Sequence, residues 1–410
     1  MPSRELLRKY ADVAIEVGLG VSQGDRVVIG SPIQLPEFTR LLVERAYENG
    51  ALSVDVLWTD DSVRRARFSH GSEEAAGVVS GASHFRMRGF EANASYLRVL
   101  AEDPSALAGV DMSRVQAQQR VNGEFVKPHL DAMGALEIPW TIIAAPVPAW
   151  NKTVFPEAEE LEAAEKMWEA IFRACRIHAD DPVEEWRRHL QDLNDRRDYL
   201  TNRNFSQLRY EGPGTALTMG LTQHARWEGG GVETTTGRPF APNIPTEEVF
   251  TSPHRFKTEG RVRATKPLSY FGDLIEDFSL EVSGGKVVGA TADRGQEVLD
   301  RVLTTDDGSA YLGEAAMVPQ SGAVAAEKLI WNNALYDEND ACHIALGQSY
   351  PICFDGATKL TIEERLEVGL NQSSIHVDFV VGSPELSVYG VHEDGGEEPI
   401  IVNGEWGFSV

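Results

Sequence analysis

His376 and Asp378 stand two residues apart in the stretch SSIHVDFVVGSPE, residues 373–385. Successive side chains of a β-strand point to opposite faces. Ile375, Val377, Phe379 and Val381 therefore share one face, and His376 and Asp378 share the other. An imidazole beside a carboxylate, on a strand anchored by its apolar face, can hold a divalent ion. The same pattern fits an antiparallel strand with one solvated face, and H-x-D arises easily by chance. Partners elsewhere in the chain decide between the two.

Three other segments carry charged or polar residues in unusual company. In NIPTEEVFTSP, residues 243–253, two prolines bracket Glu247 and Glu248. Adjacent residues there point opposite ways, so one acid can face a site while the other is solvated; a surface loop with two solvated acids is the alternative. In AYLGEAAMVPQSG, residues 310–322, Glu314 is the only charge among thirteen residues. A buried carboxylate is costly without a partner, so an ion pair or a metal is expected. In ENDACHIALGQSYP, residues 338–351, a strand over CHIAL puts Cys342, Ile344 and Leu346 on one face and His343 and Ala345 on the other. His343 is then a ligand or a hydrogen-bonded core residue. Tyr350, just before Pro351, sits at a turn that can hold a phenol over a cavity or simply half-bury it.

With Glu248, these candidates make three carboxylates and two imidazoles: Glu248, Glu314, His343, His376 and Asp378. A mononuclear zinc centre uses three or four ligands, typically rich in His. A mononuclear iron oxygenase uses two His and one carboxylate. Five mixed O/N ligands suit two divalent cations roughly 3.5–4 Å apart, bridged by at least one carboxylate, with Asp378 one candidate for the bridge. Such ligands accept Zn, Co, Mn or Mg.

The elements that must position them change character along the chain. ELLRKYADVAIEVG, the strand GDRVVIGSP, the amphipathic LPEFTRLLVERAYENG and the alternating ALSVDVLWTD read as helix and βαβ unit, which favours a parallel sheet. Strands over SYLRVLAED and PWTIIAAPVP follow, then long helices over 156–174 and 181–199. From about residue 205 short strands and Gly-rich turns take over, including SLEVSGGKVVGA, a hairpin with a Gly-Gly turn. The expected fold is an α/β N-terminal domain over 1–200 with a mainly parallel sheet. An α+β C-terminal domain over 201–410, with an antiparallel, barrel-like sheet, carries the chemistry. GLGVSQG, residues 18–24, precedes its strand and has G-x-G-x-x-x-G spacing, so it is a loop rather than a dinucleotide fingerprint.

The 410 residues carry a net charge of −25, which argues against nucleic acid as a partner, because phosphate binding demands a basic surface. No apolar run reaches the roughly 18 residues of a membrane helix, and the N-terminal segment lacks the apolar core of a secretory signal. Cys175, Cys342 and Cys353 are widely spaced and odd in number, which reads as reduced thiols in a cytoplasmic protein.

The stretches NIPTEEVFTSPHR, YLGEAAMVP, CHIALGQSYP and SSIHVDFVVGSPEL, in that order, resemble the thermophilic-type metalloaminopeptidases of the aminopeptidase S/T group, and the resemblance extends to PWTIIAAPVPAWNKTVFP. It implies that Glu248, Glu314, His343, His376 and Asp378 fall on metal-ligand positions and Tyr350 on the catalytic tyrosine. Glu338 is a further candidate ligand. It also implies two divalent ions per chain, short peptide substrates cleaved at the N-terminal residue, and a homodimer. In the mechanism so implied, Tyr350 donates to the oxyanion and Glu314 or Glu248 moves the proton. A ferrous ring-cleaving dioxygenase of the dihydroxypyridine type, on the same scaffold but with one iron, is the rival reading. A serine hydrolase is disfavoured by the lack of G-x-S-x-G.

Overall fold

The periodic segments of the first half fold as alternating helices and strands. The computed structural model describes residues 2–101, 103, 106–270 and 273–410. They divide into two units, 1–188 with 231–245, and 189–230 with 246–410.

In the first unit, helix α1 (Arg4–Asp12) begins where Ser3 Oγ accepts from the Leu6 amide at 3.2 Å. Strand β1 (Arg26–Pro32) leads to α2 (Pro36–Glu48), which buries Phe38, Leu41, Leu42 and Ala46. The chain returns through β2 (Ser53–Thr59), α3 (Asp61–His70), β3 (Ser95–Leu100), α4 (Met112–Gly134) and β4 (Trp140–Ala144). β1 pairs in parallel with β2 on one side and β3 on the other; β4 pairs with β3, and Asn243–Ile244 adds at the far edge. β1 is buried from Val27 to Pro32, which is why its sequence runs apolar without alternation. Helix α5 (Glu160–Ala174) follows, and the boundary between the units falls within α6 (Pro182–Arg203).

The second unit is built from antiparallel sheets. Strands β5 (Gln207–Gly212) and β6 (Thr215–Leu221) belong to an eight-stranded sheet. The expected hairpin forms in that sheet between Ser279–Ser283 and Lys286–Thr291. Its turn places Gly284 at φ +57° and Gly285 at φ +80°, angles that L side chains rarely adopt.

A separate five-stranded sheet carries the site candidates. It runs in the order β10 (His376–Val380), β9 (His343–Gly347), β8 (Leu312–Met317), β7 (Val249–Thr251) and Glu228–Gly229. Cys342, Ile344, Leu346, Val377, Phe379, Ala315 and Met317 belong to one hydrophobic core. These are the residues that alternation assigns to a single face. Burying that face fixes the register of β8, β9 and β10 and leaves the opposite face for the polar set. No helix among the described residues is long and apolar enough to cross a membrane.

Candidate metal centre

Register across the sheet brings the polar residues together. Ala345 is paired with Glu314 on β8 and with Asp378 on β10, while Gly347 is paired with His376. Directly opposed residues share a face, so Glu314, Asp378, His343 and His376 surround Ala345. Its methyl group is the smallest side chain that keeps β geometry, and it leaves the space between the two carboxylates open. A bulge between Leu312 and Glu314 in the β8–β9 pairing re-aims the Glu314 side chain, a frequent role of bulges near sites.

The fifth candidate arrives from the loop before β7. Glu248 is 8 % exposed, and its Oε2 lies 3.2 Å from His343 Nε2. Glu247 is not solvated as the sequence suggested. It is 2 % exposed, its amide donates to Asn339 Oδ1 at 2.7 Å, and its carboxylate lies 3.6 Å from His189 Nε2. Asn339 also donates to Leu335 O at 2.8 Å and to Glu338 Oε1 at 3.4 Å, which ties the Glu247–Glu248 turn to the segment bearing Glu338.

Ligand atoms of Glu248, Glu314 and His343 all lie within 4.8 Å of one another, and so do those of Glu314, His376 and Asp378. Glu314 is common to both groups. Each imidazole is oriented by its second nitrogen: His376 Nδ1 lies 2.8 Å from Gln348 O and His343 Nδ1 3.3 Å from Ala341 O. Carbonyls only accept, so both Nδ1 atoms carry hydrogen and both Nε2 atoms face the acids. Nε2 of His376 is 2.9 Å from Glu314 and 3.2 Å from Asp378.

The electrostatics are those of a site crowded with acids. Burial, reinforced by Asp378 and Glu248, raises Glu314 to about 7 against its bond to His376. Burial alone would lower His343, but Glu248, Glu314 and Asp378 outweigh it and raise it to about 10. His376 is likewise raised well above the usual imidazole value, burial being outweighed by Asp378 and Glu314. Asp378 is lowered, because His376 and His343 outweigh its burial. Glu338 is pushed well up by burial and by the charges of Glu248 and Asp378. The protein thus concentrates acids that, without cations, hold protons they would release in water. The buried Oδ1 of Asp378 has no aligned hydrogen-bond donor among the described residues, a state that calls for an explanation in a native fold. A divalent ion meets both conditions, and the oxygen and imidazole donors suit it.

Tyr350 closes the cluster. Its amide donates to Ser252 Oγ at 3.0 Å, and its ring lies 4.8 Å from that of His376 and 5.4 Å from that of Phe250. The residue is 37 % exposed. Burial and the charges of Glu314, Asp378, Glu338 and Glu248 raise its pKa well above 10, so it remains a donor at neutral pH. A cavity of about 250 Å³ opens beside His343, His376, Asp378 and Glu338, with Leu268 and Tyr270 among its walls.

The six residues singled out in the sequence therefore converge. Alternation in CHIAL puts Ala345 on the His343 face, but its place between two carboxylates, like the role of Asn339, is not legible there. Only strand register and one long-range hydrogen bond reveal them.

Comparison with known proteins points the same way. Residues 3–406 match the profile of the thermophilic metalloproteases, peptidase family M29. Aminopeptidase 2 of Geobacillus stearothermophilus is 40% identical over 408 residues, covering 98% of each chain. The solved structure of wild-type AmpT from Thermus thermophilus superposes with a TM-score of 0.92 at 38% identity, covering 98% of this chain and 99% of that one. A 2,5-dihydroxypyridine dioxygenase from Pseudomonas putida superposes at 0.58 with 11% identity, over 99% and 98% of the two chains, a likeness of fold alone.

Proposed function

The chain belongs to the thermophilic metalloprotease family, and from that premise we propose that its Glu248–Glu314–His343–His376–Asp378 cluster is the dinuclear centre of the reaction. The activity is that of a metal-dependent aminopeptidase, releasing N-terminal amino acids from short peptides. The observation that carries the dinuclear reading is the pair of overlapping ligand groups sharing Glu314. Glu248 and His343 would hold one ion and His376 and Asp378 the other, with Glu314 common to both groups.

Two divalent ions, when bound there, would supply a water of lowered pKa and polarise the scissile carbonyl. The remaining work falls to side chains. Tyr350, protonated at neutral pH, donates to the oxygen on which negative charge develops. A carboxylate oxygen of Glu314 accepts the water proton and returns it to the leaving amine. Glu338, lining the same cavity as His343 and Asp378, adds an acidic wall for the substrate's free α-ammonium. Recognition of that group would confine cleavage to the N-terminal bond. Metal identity follows supply among Zn, Co, Mn and Mg, and the homodimer is proposed from the family resemblance.

The test is hydrolysis of aminoacyl-anilides and of their N-acetyl forms, before and after chelation. Loss of activity on chelation, its return with divalent ions, and rejection of the acetylated substrates are expected. Turnover of acetylated substrates, or activity that survives chelation, overturns the reading.

A further inference from the structure

The first unit contains a cavity of about 400 Å³ that has no part in the chemistry above. Its lining includes Gly30 and Pro32 from β1, Trp58 and Thr59 from β2, and Arg98 from β3. These lie towards the carboxyl ends of three parallel strands. β1 has β2 on one side and β3 on the other, so the chain reverses its direction of travel across the sheet between β1 and β3. In open α/β sheets ligands bind in the crevice outside the carboxyl ends at such a switch point, and cavities of this size are typical ligand sites.

The lining carries both signs of charge. Helix α3 contributes Asp60 at its N-cap and Arg64 one turn later, positions that share a helix face. Asp60 Oδ1 accepts from the amides of Ser62 at 2.8 Å and Val63 at 3.3 Å, so the cap uses one of its two carboxylate oxygens. Arg67 is committed to structure: it donates to Ala75 O and Val78 O, each at 2.8 Å. Arg64 has no such acceptor among the described residues. Asn122 accepts through Oδ1 from the Ser80 amide at 2.9 Å and from Ser83 Oγ at 3.0 Å, and its amide hydrogens remain for another acceptor. Trp58 is 43 % exposed, a large apolar face at the cavity's edge.

Phosphate is disfavoured as the ligand. A phosphate cradle needs free backbone amides at a glycine-rich turn. The turn after β1 is Ile33-Gln34-Leu35, and its Ile33 and Leu35 amides already donate to Thr59 O at 2.9 Å and Pro32 O at 3.1 Å.

We propose that this cavity binds a small zwitterion, a free amino acid or dipeptide with a large apolar side chain. Its carboxylate meets Arg64 and Asn122, its ammonium meets Asp60, and its side chain covers Trp58. The activity proposed for the second unit releases such molecules, but the binding site is assigned from first-unit residues alone.

The experiment is calorimetric titration of the intact enzyme with L-leucine and L-phenylalanine. It is repeated on Glu314→Gln, on chelated enzyme, and on Arg64→Ala and Trp58→Ala. Leucinamide, 4-methylpentanoate and inorganic phosphate serve as control ligands. One binding event is expected to persist in Glu314→Gln and after chelation. It should weaken at least tenfold in Arg64→Ala and in Trp58→Ala, and for leucinamide and 4-methylpentanoate. Should Trp58→Ala fail to fold, Arg64→Ala carries the test, since Arg64 is a partly exposed surface residue. Amino-acid binding that disappears with Glu314→Gln or is indifferent to Arg64 overturns the proposal. So does tighter binding of phosphate than of leucine, or binding of neither. Hydrolysis is measured separately, so a failure here leaves the aminopeptidase reading untouched.

Discussion

Nε2 of His376 lies 2.9 Å from Oε2 of Glu314, and the same ring is held from behind by its Nδ1 hydrogen bond to Gln348 O at 2.8 Å. The carbonyl fixes the tautomer in which the ligand nitrogen faces the carboxylate, an arrangement typical of metal-binding imidazoles. Glu314→Gln and His376→Ala each remove one side of this contact. Each is expected to lower hydrolysis of an aminoacyl-anilide by roughly three orders of magnitude, since metal polarisation contributes several kcal/mol to such reactions. Steady-state kinetics with folding checked by circular dichroism decides it; turnover retained by both variants contradicts the assignment.

Protons held by the ion-free cluster make metal binding pH-dependent. His343 rises from 6.5 to about 10 and Glu314 from 4.5 to about 7. A folded-state pKa above the unfolded one stabilises fully below the unfolded value and ceases to do so above the folded value. The two groups therefore stabilise the ion-free protein less and less as pH rises from about 4.5 to 10, whereas ligands bound to metal have already lost these protons. Asp378, lowered from 3.8, acts only at the acid end, outside this window. The gain in melting temperature on adding divalent ions is expected to grow between pH 5 and pH 9, with protons released on binding near pH 7. A gain that is flat or shrinks over that range contradicts the cluster as the metal site.

Tyr350→Phe keeps the ring contacts with Phe250 and His376 and removes only the hydroxyl. Loss of a single oxyanion donor typically costs about 10²–10³ in kcat. A fall of that size, with little change in KM or in bound metal, is expected from parallel kinetics and elemental analysis. An unchanged kcat would remove Tyr350 from the reaction.

Ala345 is fully buried and faces both Glu314 and Asp378 across the sheet. Ala345→Val places two methyl groups where the carboxylates converge. Overpacking costs roughly 1–3 kcal/mol, and metal affinity is expected to drop about 10–100-fold, the range seen when residues supporting a ligand set are altered. Competition titration against a chromogenic chelator measures it. Affinity equal to the parent's would show that the space above Ala345 is not where the ions sit.

Gly347 sits at φ +98°, where an added Cβ would be 2.2 Å from Ile375 O. Gly347→Ala is expected to destabilise by roughly 1–3 kcal/mol and to loosen His376, its partner across β9 and β10. Denaturant unfolding gives the first effect, and metal titration the second.

Local periodicity carried much of this into the sequence. The alternation in IHVDFVV separated a core face from a polar face, and CHIAL did the same for His343. Gly284-Gly285 marked its hairpin because glycine readily adopts the positive φ that such a two-residue turn requires. Ala345 carries no such mark, because its importance lies in standing opposite two residues 31 and 33 positions away in the chain. The same holds for Asn243–Ile244, which extends the parallel sheet of the first unit beside β4, and for Asn339, which reaches Glu247 across 92 residues. Pairing at such separations is fixed by burial and register in the folded chain rather than by neighbouring residues. Glu247 differs for a related reason: adjacent residues pointing opposite ways suggest that one acid is solvated, until His189 and Asn339 are brought to it.

The most direct measurement is the number of ions that full activity requires. Chelated enzyme is titrated with Zn or Co, bound metal is measured by elemental analysis, and aminoacyl-anilide hydrolysis is followed in the same samples. Activity that reaches its plateau at two ions per chain is the expected result, with Asp378→Ala binding one ion or fewer and losing activity. Full activity at a single ion per chain would contradict a dinuclear centre built around Glu314.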